Sequence, residues 1–314
     1  MSERFFETGP QPPEQREKGR NTEVRITFVR HAQKTSPKVF EQNLAQISRA
    51  SISEKGAEQA RELGRNLREQ GRVATKGYRT PVNRTLETLQ EIFSQMPAKS
   101  EKVKETQFIG EYLGFKAAEF SPETTKRYNT IMGEAKEKYL AEKFPGRNFD
   151  DLILDEQTEV AEVTEEPALQ WYLDHDQTRP DPNTPSPYEA GSVIAYKLNR
   201  FINVADRMPS GKALDILTVG HKTSTEAFLK YCLVQETAQG RKVGFDRLEE
   251  IGGSMGLLDN WEIRITNDDQ GNRSMRFFLR GREYGIDLDK IREMAEVGRR
   301  FLGKEEQAID IPIK

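Results

Sequence analysis

Twice in the first part of the chain an apolar strand pattern is followed by a polar loop and an amphipathic helix, and this order constrains the fold more than any other feature. The first unit begins with EVRITFV, rich in β-branched and aromatic residues, and continues after a polar loop into SEKGAEQARELGRNLREQG. Ser53 is placed to cap that helix and Gly71 to stop it. The second unit is VATKGY, the turn RTPVNRT with Pro81 suited to a first helical turn, and LETLQEIFSQM. Parallel strands require long crossovers, and a helix between successive strands supplies one. The expected fold class is therefore α/β: a three-layer α/β/α arrangement around a mostly parallel central sheet.

The alternation returns later in the chain. The helix YEAGSVIAYKLNRFINVADRM precedes ALDILTV, the most apolar strand pattern and the expected centre of the sheet. A helix over TEAFLKYCLV follows, with Thr223 or Ser224 as its cap. NWEIRIT and SMRFFLRG read as a hairpin with Gly271 in its turn, and DLDKIREMAEVGRRFL as a closing helix. Between the two α/β parts the pattern changes. EKVKETQFIGEYLGF reads as a third, edge-type strand leading to a loop around Glu111. Residues 116–187 then hold the helical TTKRYNTIMGEAKEKYLAEKF, the acidic LDEQTEVAEVTEE and the Pro-rich RPDPNTPSP, the pattern of an inserted helical cap. Six carboxylates from Asp155 to Glu166 without one base read as a solvated face; their functional reading is repulsion of anionic competitors at a pocket mouth. The expected organisation is a disordered tail over 1–22, an α/β domain over 23–302 interrupted by the 116–187 cap, and a C-terminal tail over 303–314.

Composition excludes several function classes. A formal net charge of −3 argues against nucleic-acid binding as the main task, while leaving room for a local basic pocket. No apolar run reaches the length of a membrane span, and MSERFFETGPQPPEQREKGRNT has no apolar core of signal-peptide length. Cys232 is the single cysteine, so no disulfide framework or Cys-rich metal site exists, and the cytoplasm is the default compartment. Its apolar helical context assigns Cys232 to core packing.

Two of the three histidines, His31 and His221, stand immediately after predicted strands. Ligand crevices of open α/β sheets form at the carboxyl ends of strands, so two such histidines, one preceded by Arg30, outweigh the reading of each as a polar residue at a sheet edge. Imidazoles and arginines without metal-ligand spacing suit a phosphoryl group. Guanidinium forks neutralise its oxygens, a neutral imidazole nitrogen attacks phosphorus, and a proton donor protects the leaving oxygen.

VRHAQKT, SEKGAEQARELG, RTPVNRTLET and TVGHKTS occur in the order of the sequence blocks of the histidine phosphatase (phosphoglycerate mutase-like) superfamily, and resemble them. The resemblance covers roughly residues 24 to 115 and 188 to 302. It implies that His31 is the phosphorylated nucleophile and that Arg30 and Arg84 grip the phosphate together with His221. Gly56, Gln59 and Thr88 match positions that are structural in the family. Glu111, in FIGEYLG, occupies the place of the acid and base of the commoner branch; the other branch puts an Asp after the second histidine, where this chain has Lys222. His175, in the insertion, reads as a surface or cap residue.

The departures bear on function. Ala32 stands where the family has Gly, Lys34 where it has Thr or Ser, and Arg79 and Thr80 where it has serines. Lys34 either adds a phosphate-facing cation or points to solvent. The family's mutase run is missing from AQKTSPKVF, so hydrolysis outranks phosphoryl transfer between hydroxyls. The leading expectation is a metal-independent phosphomonoesterase, without cofactor, acting on a phosphorylated small molecule or a phosphoprotein. The alternatives are a phosphoglycerate mutase-type phosphotransferase and a catalytically impaired phosphate-binding regulatory protein. The MRFFLRG strand is either an edge that pairs with a second copy in a homodimer or, more simply, a buried strand of one chain.

Overall fold

A computed structural model describes residues 18–35, 51–74, 76–80, 82–97, 120–238 and 240–303. The strand read in EKVKETQFIGEYLGF, Glu111, residues 1–17 of the expected N-terminal tail and residues 304–314 lie outside these. Gly19 N–H donates to the Met208 carbonyl and Asn21 N–H to the Asp268 carbonyl, each at 2.9 Å, so the folded part begins ahead of residue 23.

Among the described residues, eight strands form one sheet in the order β2-β3-β1-β6-β7-β8-β4-β5. They are β1 (Thr22–Arg30), β2 (Lys76–Arg79), β3 (Ala213–Gly220), β4 (Leu233–Thr237), β5 (Gly240–Val243), β6 (Asn260–Asn267), β7 (Arg273–Leu279) and β8 (Arg282–Ile286). β2, β3 and β1 run parallel. The other pairings are antiparallel, so the sheet is mixed, and its parallel part is the side expected from the strand and helix units. β3 is the middle of the parallel trio and not of the whole sheet. Antiparallel strands joined by tight turns need no crossover helix and extend the sheet beyond β1. One such turn contains Gly271 at φ +86°, as expected.

The helices are α1 (Glu54–Glu69), α2 (Asn83–Ser94), α3 (Pro122–Lys143), α4 (Leu154–Leu173), α5 (Pro187–Ile202), α6 (Lys222–Cys232) and α7 (Leu288–Phe301). Strand alternation sends side chains to two cores. Val24, Ile26, Phe28 and Ile216 pack with α5, α6 and α7 in the larger one. Val29, Leu217 and Val219 pack with Ala60 and Leu67 of α1 and Leu89, Ile92 and Phe93 of α2 in the other. Helices thus cover both faces, which is the expected three-layer α/β/α class. α5 and α7 approach closely at Gly298, where a Cβ would lie 2.1 Å from the Ser192 carbonyl oxygen.

Ser53 caps α1 as expected, its Oγ accepting from Gly56 N–H at 3.0 Å. α6 differs. It begins at Lys222 with His221 in the cap position, because the backbone of His221 is still extended as the chain leaves β3. Thr223 and Ser224 therefore lie inside the first turn. Cys232 is buried with its Sγ 3.5 Å from Met294 Sδ, and burial pushes its thiol pKa up, as suits a core residue. Among the described residues no helix is long and apolar enough to cross a membrane.

Candidate active site

The parallel register of β1 and β3 pairs Val29 with Val219 and Arg30 with Gly220. Both strands end at the same level, and the next residue on each is a histidine. His31 N–H donates to the Gly220 carbonyl at 3.1 Å, and the two imidazoles stand edge to face with centroids 5.3 Å apart. Residues far apart in the chain are thereby neighbours at one rim of the sheet.

Each ring's tautomer follows from its partners. His31 Nδ1 lies 2.8 Å from the Ala32 carbonyl oxygen, which only accepts, so Nδ1 carries the hydrogen and Nε2 keeps its lone pair. His221 Nδ1 lies 3.4 Å from Arg84 Nη2, which only donates, so His221 Nε2 carries the hydrogen and donates to Thr80 Oγ1 at 3.0 Å. Thr80 is fully buried, and its hydroxyl continues to Thr85 Oγ1 at 3.0 Å. Burial, then the positive charge of Arg84, holds both histidines well below the usual imidazole pKa of 6.5. Both are neutral at physiological pH.

The cations come from separate elements. Arg84 is buried in the first turn of α2, and burial with Arg30 nearby lowers its pKa to about 10. Lys34 is half-buried in the loop after β1, and burial, then Arg84, lowers its pKa to about 7. Arg30 is buried at the end of β1. Burial opposes its charge, but Glu162 beside it holds its pKa above the usual range. Burial likewise opposes the charge of Glu162, yet Arg30 and then Lys222 bring its pKa down to about 2.

The loop after His31 is clamped from below. Ala32 N–H donates to Thr88 Oγ1 at 3.0 Å, and Thr88 Oγ1 donates to the Arg84 carbonyl at 2.6 Å, so one threonine ties this loop to α2. A Cβ at Gly56 would lie 2.4 Å from the Gln33 carbonyl oxygen, and only glycine lets α1 approach this closely.

α4 contributes residues that the acidic run concealed. Asp155, Thr158, Glu162 and Glu165 recur at spacings of 3, 4 and 3, one stripe of a helix, and this stripe faces the core domain. Gln33 Nε2 donates to Asp155 at 3.1 Å and to Thr158 at 3.0 Å, Lys55 Nζ lies 2.7 Å from Asp155, and Lys222 Nζ lies 2.6 Å from Glu165. Arg30 makes a two-pronged pair with Glu162. The reading of this run as a solvated face is corrected for Glu162 and Glu165, while Asp155 stays exposed: the spacing carried a signal that the charge count hid. His175 is not brought to the site. It lies against Trp171 beyond the C-terminal end of α4, an end that is itself about 16 Å along the axis from Glu162 at 1.5 Å per residue. Arg79 Nη1 donates to the Thr80 carbonyl at 3.2 Å. Among the described residues, no group of three or more His, Cys, Asp or Glu side chains is arranged to hold a metal ion.

Thr80→Val removes the acceptor of His221 Nε2–H at nearly constant volume. About a tenfold loss of turnover is expected with the fold retained, and the imidazole nitrogen shifts of His221 should show a mixture of tautomers. A single unchanged tautomer at full turnover would remove Thr80 from the site.

Two neutral imidazoles among buried guanidinium groups, at the rim of a parallel strand pair, have the chemistry that suits a phosphoryl group. The family model described as histidine phosphatase superfamily (branch 1) matches residues 26–153, the stretch that holds three of the four blocks read in the sequence. Among solved structures, the apo form of Hafnia alvei phytase aligns with a TM-score of 0.49 at 9% identity, covering 92% of this chain and 98% of its own. The native mycobacterial glucosyl-3-phosphoglycerate phosphatase aligns with a TM-score of 0.41 at 15% identity, covering 82% and 97%. A phosphoserine phosphatase mutant from Entamoeba histolytica in complex with phosphoserine aligns with a TM-score of 0.38 at 13% identity, covering 80% and 94%. No curated protein sequence matches this chain.

Proposed function

We propose that the protein is a phosphomonoester hydrolase working through a phosphohistidine on His31. One observation carries this reading: the Nδ1–H bond to the Ala32 carbonyl leaves His31 Nε2 as a neutral nucleophile beside a second imidazole and Arg84. Nε2 attacks phosphorus, the N–P bond forms as the ester P–O bond breaks, and the leaving oxygen takes a proton from a carboxylic acid. Glu111 is assigned that role by its place in the chain. In the second half, the Glu111 carboxylate accepts a proton from water as the water oxygen displaces His31 and phosphate leaves. Arg30, Arg84 and Lys34 hold the phosphoryl oxygens throughout, His221 joins them by turning its Nε2–H from Thr80 Oγ1 to the phosphate, and no metal ion is required. Substrates are phosphorylated small molecules or phosphoproteins, and the buried lone thiol suits the cytoplasm.

A radiolabelled phosphomonoester, added in the presence of a chelator and quenched in alkali, should leave label on the protein that is stable in base and lost in acid. Sustained hydrolysis without such an adduct at any time point would sink the covalent route.

A further inference from the structure

Arg30 divides its donors unevenly. Nη1 and Nη2, the end of the guanidinium, both reach the Glu162 carboxylate, the Nη2 bond at 2.6 Å. Nη1 gives its other hydrogen to the Met255 carbonyl at 2.7 Å. What remains is Nε–H and the second hydrogen of Nη2, which point the same way along one edge of the planar group. Nε is buried and has no hydrogen-bond partner among the described residues. A buried donor without an acceptor is destabilising and calls for a ligand that completes it. Two parallel N–H groups at fixed spacing are the fork that phosphate accepts bidentately.

We propose that Glu162 is a positioning residue, holding Arg30 by its end so that the Nε/Nη2 edge is presented to the phosphoryl group on His31; this rests on the phosphatase reading above. Glu162 belongs to α4, and the same stripe of that helix is fastened to the core through Asp155, Thr158 and Glu165. The seat of α4 thereby sets the orientation of an arginine on the central sheet. The opposite arrangement, in which Glu162 competes with phosphate for the end of Arg30, predicts that removing the carboxylate tightens phosphate binding.

Calorimetry with inorganic phosphate and NMR of the Arg30 Nε–H resonance, assigned by its loss in Arg30→Lys, separate these. In the wild-type protein the resonance should move as phosphate is added. Glu162→Gln should weaken phosphate binding about tenfold and lower kcat/KM at least as much, with Glu162→Asp recovering part of the loss. Arg292→Ala, which cuts an exposed ion pair on α7, should change neither. Unchanged or tighter phosphate binding in Glu162→Gln overturns the assignment, and so does saturable binding to the wild type with an unmoved Nε–H, a readout that stands even if the variant fails to fold. Absence of any phosphate binding by the wild type would instead remove the phosphatase reading, and this inference with it.

Discussion

His31→Ala is expected to lower kcat/KM by about 10⁴-fold or more while the protein remains folded. The magnitude follows from the covalent route. Without a nucleophilic nitrogen the two-step path closes, and what survives is water attacking a phosphate held by the remaining cations. Retention of the fold follows from the anchoring of this segment. His31 N–H bonds to Gly220 and Ala32 N–H to Thr88, and an alanine keeps both backbone bonds. Because burial and Arg84 hold the His31 pKa below 6.5, the imidazole stays unprotonated at neutral pH. In the wild type, the acid limb of kcat/KM attributable to this group should therefore lie below pH 6.5. Turnover within tenfold of wild type in a folded His31→Ala protein would exclude His31 as the phosphoryl acceptor. Circular dichroism beside steady-state kinetics on a phosphate-ester panel makes the comparison.

Arg72→Met is expected to destabilise the fold by about 3–5 kcal/mol at neutral pH, because it strands buried carboxylates. Arg72 follows α1 and reaches three adjacent strands. Its Nε donates to Asp215 of β3 at 2.6 Å, Nη1 pairs with Glu262 of β6, and Nη2 reaches Thr27 of β1 at 2.9 Å. Asp215 and Glu262 are themselves largely covered. The sign of the pH dependence follows from Glu262. Burial raises its pKa, but Arg72 and Arg264 outweigh that, and the folded value lies below 4.5. A depressed carboxylate pKa contributes stability that is present above 4.5 and fades as pH falls through the folded value. Without Arg72 the folded pKa of Glu262 rises, so protonation relieves the variant at acid pH. The stability gap between wild type and variant should narrow as pH falls from neutrality to about 4.5. Urea denaturation at both pH values measures it, and a gap that is constant or widens toward acid would overturn the assignment of the loss to stranded carboxylates.

The elements near the first histidine were legible because each carries local chemistry. EVRITFV has a strand composition, Ser53 and Gly71 punctuate α1, and an Arg-His pair directly after a strand marks a rim. The site beyond that was legible only in part. Thr80 stands where the resembled family has a serine, yet it accepts the Nε2–H of His221, and nothing in a threonine's sequence neighbours announces which imidazole it will meet. Glu162 and Glu165 looked like solvated charge, because an acidic run with no base of its own gives no hint that Arg30 and Lys222 supply its counter-charges across the fold. The cap of α6 at His221 was missed for a related reason: Thr223 and Ser224 are better capping side chains, but the extended backbone inherited from β3 decided where helical geometry could begin.

By itself the sequence determined the class of the fold, the strands that end on His31 and His221, and the resemblance to one superfamily. These depend on residue type and on spacing within a few turns of chain. Tertiary structure alone decided that the sheet is mixed, that the two imidazoles share one rim through the Arg30 and Gly220 register, and that an acidic helix holds Arg30 by its end. Those outcomes turn on strand order, register and the pairing of buried charges between distant segments, and such energies exist only once the chain has closed on itself.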